Sequence, residues 1–297
     1  TLKRENMRHL KEAKDTLGEF LNWFGTEERC RDYLAAQRWP DGFVCPKCGH
    51  KHGCRLSNGL YQCTYCHRQT SVTAGTVLHR SHVSLSKWFL TFYLVSQDKR
   101  GISAILLSGQ IGVTYKTAWS MLRRIRSAMG QRDAAYILSG VVELDDACFG
   151  GPKVGGKRDR GTEKTKIFIA LSLDEHGNLQ IQDAYNQDIK QASVKRFANA
   201  AVKKGSTIHS DGYRSYIPVL GDYTHEHKNY DPNSGMLHWL HIMVSNAKAF
   251  ILGTYHGLPT DHLQSYLDEF SFRFSRRSFG GLLTQRLILA AACSGVA

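Results

Sequence analysis

Two Cys-x-x-Cys pairs, Cys45-Pro46-Lys47-Cys48 and Cys63-Thr64-Tyr65-Cys66, stand 14 residues apart near the start of this chain. Four thiolates at that separation can surround one tetrahedral Zn²⁺, the arrangement of a structural zinc ribbon. Turn-forming residues flank both pairs, with Pro46 and Gly49 at the first and His67 and Arg68 beside the second. Cys54, His50, His52 and His67 fit the spacing less well and are left outside the ligand set. A ribbon of this size has almost no core, so the metal is expected to be part of its folding free energy. Whether it contacts DNA, docks a protein or only clips the fold stays open at this stage.

The second constellation is made of carboxylates. Val141-Val142-Glu143-Leu144-Asp145-Asp146-Ala147-Cys148-Phe149 reads as a β-branched apolar strand carrying two adjacent acids, and it stops at Gly150-Gly151. A strand with aliphatic residues on both sides is usually buried, and a charge held in it needs a partner or a metal ion. The alternative is an acid at the strand end that reaches water. Side chains alternate along a strand, so Asp146 would point away from the face that carries Asp145. Further on, Thr207 to Ser210 reads as another strand and delivers Asp211-Gly212.

The elements around these acids have a recognisable order. Lys166 to Leu173 and Leu179 to Tyr185 read as strands joined by the turn Asp174-Glu175-His176-Gly177-Asn178. Ile189 to Lys203 reads as a helix with Val194, Phe197, Ala198 and Ala201 on one face. Three strands, a helix, then a strand ending in an acid is the order of a ribonuclease H-like α/β core. Its first and fourth strands are neighbours, which would set Asp145 beside Asp211. Two bare carboxylates at close range repel unless cations neutralise them. Oxygen ligands favour Mg²⁺, or Mn²⁺ in its place, and the pair points to metal-dependent phosphoryl transfer.

Two further helices follow. His238 to Leu252 is one. In the other, Leu263, Tyr266, Leu267, Phe270 and Phe274 outweigh the strand-like alternation of Phe270, Phe272 and Phe274. Glu269, Arg273 and Arg276 fall at i, i+4 and i+7 on its surface, as an ordinary intrahelical ion pair would. His238 and His241, three apart on the first of these helices, could reach the acids, but a histidine so placed more often packs or hydrogen-bonds.

Charge and the N-terminal half indicate the partner. Lys and Arg outnumber Asp and Glu by 39 to 26, a net charge of +13, which favours a polyanion such as nucleic acid. Leu17 to Gln37 contains a helix opened by Thr26, with Glu27 and Glu28 in its first turn. Leu85, Trp88, Phe89, Phe92, Tyr93 and Val95 form a helical stripe. Then Ser103 can cap a short helix, Gly112 marks a turn, and Thr114 opens a helix containing Trp119, Leu122 and Ile125. That is the outline of a helix-turn-helix, in which Thr114, Tyr115 and Lys116 face base edges and Arg123, Arg124 and Arg126 lie near phosphates. A three-helix linker with a solvated basic face is the competing reading. The loop Gly150 to Gly161 holds Lys153, Lys157, Arg158 and Arg160, placed to hold a phosphate backbone near the carboxylates or simply solvated.

No apolar run approaches the roughly 20 residues that span a bilayer, so no membrane role is expected. Thr1 to Lys14 is basic and polar with no apolar signal segment, and the missing initiator Met suggests a trimmed or partial start. An intracellular setting is expected, with the 8 cysteines as thiols or metal ligands.

Taken together, these motifs resemble the bacterial insertion-sequence transposases of the DDE superfamily that carry an N-terminal zinc ribbon. The resemblance runs from about Glu27 to Arg277. It is carried by Arg38-Trp39-Pro40-Asp41-Gly42-Phe43, Ala74-Gly75-Thr76, Glu143-Leu144-Asp145-Asp146 with Gly150-Gly151, and His209-Ser210-Asp211-Gly212-Tyr213. Ser245-Asn246-Ala247-Lys248 and Leu252-Gly253-Thr254-Tyr255-His256-Gly257 extend it. The resemblance implies that Asp145 and Asp211 match the first two acids of the catalytic triad. It also implies that Asn246, 35 positions after Asp211, takes the third place, where most of the superfamily has Glu. An amide oxygen can coordinate Mg²⁺, yet it brings no charge and is no general base near neutral pH. The same branch is similar in keeping a Glu followed by two Arg, which implies that Glu269 lends charge to the metal site while Arg273 and Arg276 clamp DNA phosphates.

The expected organisation is an N-terminal helix and zinc ribbon (1–79), a helix-turn-helix region (80–135) and a ribonuclease H-like catalytic domain of mixed sheet and helices (136–297). The expected activity is Mg²⁺-dependent cleavage at element ends and 3′-hydroxyl strand transfer into target DNA, in the cytoplasm of a bacterium. At least a dimer on DNA is implied, because two ends must be joined. The rival readings are an inactive DNA-binding regulator, with Asn246 as the lesion, and a structure-selective nuclease.

Overall fold

The computed structural model describes residues 16–150, 164–175, 177–186, 188–228, 235 and 237–295. They fall into two compact units, one of residues up to 129 together with those from 279 onward, the other of residues 130–278.

In the first unit, α1 (Leu17–Phe24) and α2 (Glu27–Arg38) are separate helices. Thr16 and Glu19 form a capping box on α1, and Thr26 Oγ1 accepts from the Arg29 amide at the start of α2, where a cap was expected. Phe20 and Phe24 bury their rings against Tyr93 and Phe89 of α3 (Leu85–Gln97). Such burial contributes about 1.5–3 kcal/mol per large side chain. The acid in the first turn of α2 serves a different helix from its own. Glu27 accepts from the amides of Leu85 and Ser86 at 3.0 and 3.1 Å, capping α3, whose own Ser84 makes no side-chain cap. The ribbon is a three-stranded antiparallel sheet, β1 (Gly53–Arg55), β2 (Tyr61–Cys63) and β3 (Gln69–Thr70). Gly53 has no room for a side chain, since a Cβ there would lie 2.5 Å from the Phe43 ring and 2.8 Å from the Gln62 carbonyl.

Helix α4 (Ala104–Ile111) ends at Gly112 in the left-handed conformation (φ 62°), and α5 (Tyr115–Asp133) follows. The expected helix, glycine turn and helix are therefore present. A C-terminal helix, α9 (Leu283–Cys293), also belongs to this unit and packs on α2 and α3. The second compact unit runs from Gly130 to Ser278, and the residues after 278 pack with the first. The reason is the alanine- and leucine-rich stripe of α9, with Leu287, Ile288 and Ala291 fully buried.

The second unit is a five-stranded mixed sheet whose strands lie side by side in the order Leu179–Asn186, Thr165–Leu173, Val141–Phe149, Thr207–Asp211, Thr224–Lys228. Strands β4 (Val141–Phe149), β5 (Thr165–Leu173) and β6 (Leu179–Asn186) form an antiparallel meander. Helix α6 (Gln191–Ala201) then crosses to β7 (Thr207–Asp211), which lies parallel to β4, and β8 (Thr224–Lys228) lies parallel to β7. This is the ribonuclease H-like order anticipated. Alternation along the strands sorts the two faces. Val142, Leu144, Phe168, Ala170 and Ile208 pack against Val194, Phe197 and Ala198 of α6. Ala147, Phe149, Ile167, Ile169 and Leu171 pack on the other face against α7 (His238–Tyr255) and α8 (Thr260–Ser275). Strand β8 was not foreseen, because Thr-His-Glu-His-Lys lacks the aliphatic run that marks a buried strand.

Candidate active site and metal centre

The four expected zinc ligands converge. The sulfurs of Cys45, Cys48, Cys63 and Cys66 all lie within 4.8 Å of one another, with Cys45 to Cys66 at 3.6 Å and Cys48 to Cys63 at 3.7 Å. Zn–S bonds of about 2.3 Å in a tetrahedron require S···S separations of about 3.8 Å, so the donor set fits Zn²⁺. Hairpin β1–β2 carries Cys63 and the preceding knuckle carries Cys45, whose amide donates to the His50 carbonyl at 2.9 Å. Cys54 is exposed and outside this cluster, as expected.

The sheet positions the carboxylates. Strands β4 and β7 pair in parallel through Val141↔Thr207, Val142↔Ile208 and Glu143↔His209, where their ladder ends. Two residues further along each strand come Asp145 and Asp211, on the same face as that last pair. Asp145 is buried, and its Oδ1 accepts from the Asp146 amide at 2.8 Å. Asp211 is half-buried, and its Oδ1 accepts from the Tyr213 amide at 3.1 Å in the turn after β7. Asp146 is on the opposite face, where Tyr216 donates its hydroxyl to Oδ1 at 2.7 Å. The contact ties Asp146 to the sheet face that packs on α6, where Tyr216 is buried.

Helix α7 covers the Asp145 face through Leu240, Met243, Ala247 and Phe250. Asn246 is exposed beside that buried stripe, and its Nδ2 donates to the Ile242 carbonyl at 2.8 Å. Of the two α7 histidines, His241 lies within electrostatic reach of Asp211, whose charge opposes the lowering of the imidazole pKa caused by burial. Glu143, not singled out from sequence, accepts the Leu240 amide at 2.8 Å through Oε2. Burial raises its carboxyl above the ordinary range, while the amides of Leu240 and Trp239 act in the opposite direction.

The α8 triplet is held in ion pairs. Glu269 and Arg273 form a buried ion pair at 3.1 Å, the intrahelical alternative. Arg276 forks onto both oxygens of Asp133, at 2.6 and 3.2 Å, and stacks over the Phe272 ring at 3.8 Å. Both guanidinium groups are buried in ion pairs, which is a poor arrangement for gripping a phosphate. Beside them lies a cluster of polar groups that sequence reasoning missed. Gln264 Nε2 donates to Asp183 Oδ1 at 2.7 Å and to Asp268 Oδ1 at 3.0 Å, and Ser271 Oγ donates to Asp183 Oδ2 at 2.5 Å. Burial pushes the Asp183 carboxyl up to about 6, and burial together with the charge of Asp183 pushes Asp268 up to about 7. Gly130 makes room for this cluster, since a Cβ there would stand 2.6 Å from Asp268 Oδ2.

The residues expected at DNA divide likewise. Thr114 caps α5, its Oγ1 accepting from the Thr117 amide at 3.2 Å. Tyr115, Lys116 and Arg123 are exposed on α5. Arg124 instead donates to the carbonyls of Val77 and His79 at 3.2 and 2.9 Å, and Arg126 is buried, so neither presents a free guanidinium. Lys157 and Arg158 lie outside the described residues. Among the described residues no helix is long and apolar enough to cross a membrane.

Residues 137–275 match the family model of the ISXO2-like transposase domain, and residues 25–69 match that of the transposase zinc-ribbon domain. An uncharacterized protein in transposable element ISH50 of Halobacterium salinarum is 26% identical over 279 residues, covering 85% of this chain and 92% of that protein. A chain in the cryo-EM structure of the simian T-cell lymphotropic virus intasome in complex with PP2A regulatory subunit B56 gamma is 12% identical with a TM-score of 0.30. That match covers 61% of this chain and 64% of the solved one. The two family models cover the ribbon and the five-stranded sheet with its acids, and the chain belongs to the insertion-sequence transposases of the DDE superfamily that carry a zinc ribbon. Its function is that of a DNA transposase, a DNA-cleaving and strand-transferring enzyme.

Proposed function

We propose that Asp145, Asp211 and Asn246 form the ligand set of a divalent-cation site at which this transposase cuts element ends and joins them to target DNA. The observation that carries the reading is the β4–β7 ladder. It stops at Glu143↔His209, and the two aspartates follow on one face, beside the helix that bears Asn246. Their oxygen donors suit Mg²⁺ or Mn²⁺. A cation bound there supplies a lowered pKa for water and neutralises charge on the attacked phosphate. Asp145 and Asp211 contribute the negative charge, and Asn246 contributes a neutral oxygen with its amide nitrogen held by Ile242. Glu269 is assigned to the buried ion pair with Arg273 rather than to this set.

Tyr115, Lys116 and Arg123 on α5 are proposed to meet DNA, with phosphate contacts giving most of the affinity and a strong salt dependence. Joining two ends requires a dimer or a larger assembly on DNA. The purified protein, incubated with Mg²⁺ and DNA carrying its element ends, should give cut and joined products. Asp145→Ala and Asp211→Ala should each lower their yield by about 100-fold or more. DNA binding without turnover in the unsubstituted protein would establish the regulator instead, and hydrolysis without joining would establish a nuclease.

A further inference from the structure

The N-terminus of α7 lacks a cap of its own. The residue before the helix is Leu237, in the left-handed region (φ 58°), and no side chain there accepts from the helix. First-turn amides need acceptors, and an anionic one is favoured by the helix dipole. Glu143 provides it across 97 positions of sequence, with its Oε2 2.8 Å from the Leu240 nitrogen. This acid is also the last residue of β4 paired with β7. It therefore stands where three elements meet: its own strand, the strand that ends in Asp211, and the helix that bears Asn246. The same device operates in the first unit, where Glu27 caps α3.

We propose that Glu143 is a positioning residue of the active site, holding the start of α7 so that Asn246 stands at the right height over Asp145. The inference rests on the ligand set proposed above. Asp145 is two residues from Glu143 on the same strand face, about 7 Å along it. Asn246 is six residues beyond Leu240 on a continuous helix, about 9 Å along its axis. One carboxylate thus ties the origin of both measurements, and the helix, being stiff, carries the constraint to its middle. Glu143 is assigned to the helix start rather than to the metal, because its carboxylate faces two first-turn amides of α7, those of Leu240 and Trp239. Sliding α7 by about 1 Å would be enough to disturb a coordination sphere whose bonds are near 2.1 Å.

The test compares Mn²⁺ affinity of the full chain bound to element-end DNA, read by the electron paramagnetic resonance signal of free Mn²⁺, with amide exchange at the start of α7. Glu143→Ala should weaken Mn²⁺ binding about 10-fold and speed exchange at Leu240, with DNA binding unchanged within about 2-fold. Glu143→Gln keeps an acceptor oxygen at the same reach and should recover most of the affinity. Glu143→Asp keeps the charge but withdraws it and should behave like Glu143→Ala. In the Asn246→Ala background, Glu143→Ala should cause no further loss. Wild-type affinity in Glu143→Ala, additive losses with Asn246→Ala, or a Glu143→Asp better than Glu143→Gln would each overturn the proposal. Asp145→Ala separates the two layers of inference. If it binds Mn²⁺ and cuts DNA normally, the ligand set itself is wrong. If it is dead while Glu143→Ala is normal, only the positioning role is lost.

Discussion

The Asp183–Gln264–Asp268 cluster makes the stability of the second unit depend on pH, and Asp268→Asn should remove most of that dependence. In the folded chain Asp268 holds its proton up to about pH 7, whereas an aspartate in an unfolded chain ionises near 3.9. A raised carboxyl favours folding fully at the lowest pH, and that advantage is lost as pH rises from about 4 through about 7. The slope is at most about 1.4 kcal/mol per pH unit for one group. Allowing for solvent at the edge of the cluster, a loss of about 2 kcal/mol between pH 5 and pH 8 is expected, about 30-fold in the opening equilibrium. Asparagine keeps an oxygen to accept from Gln264 and carries no charge at any pH. The variant should match the wild type near pH 5 and exceed it by about 2 kcal/mol at pH 8. A residual slope below pH 6 should persist from Asp183, which is raised to about 6. Amide exchange in β6 and α8 of the full chain measures this locally, without requiring the whole protein to unfold in one step. Parallel pH profiles for wild type and variant would show that Asp268 is ionised in the fold and would refute the reasoning.

Two further outcomes follow from the geometry. Removing zinc with a strong chelator, or by Cys63→Ser, should abolish amide protection across residues 45–66 while leaving β4 and β5 protected; metal content and exchange read together would expose an error if the ribbon stayed protected without metal. Tyr216→Phe deletes the hydroxyl that donates to Asp146 Oδ1, a hydrogen bond to a charged group whose loss should cost about 1.5–3 kcal/mol in urea unfolding. Mn²⁺ affinity should not change in that variant, since Asp146 lies on the face away from Asp145, and its collapse would mean that the face assignment is wrong.

The zinc ligands were legible in the sequence because Cys-x-x-Cys spacing is a local property, and local chain geometry already brings each pair together. The adjacency of the two strands that carry Asp145 and Asp211 was legible for a related reason. Strand alternation and the order of elements dictate a sheet in which the first and fourth strands are neighbours. Asp146 was assigned to the opposite face by the same alternation, and Tyr216 holds it there. The α8 arginines were placed on the correct helix face, yet their partners were not, because Asp133 meets Arg276 from 143 positions away. Strand β8 and helix α9 escaped notice, the first for want of aliphatic residues.

What the sequence by itself determined is which side chains share a local element and which face of it they occupy, since these follow from the 2.0 and 3.6 residue periods of the backbone. Tertiary structure alone decided which acids are paired with arginine, which are bridged by a buried glutamine, and which one caps the helix bearing Asn246. Those outcomes depend on distances between segments far apart in the chain, and burial and charge act through space rather than along the sequence.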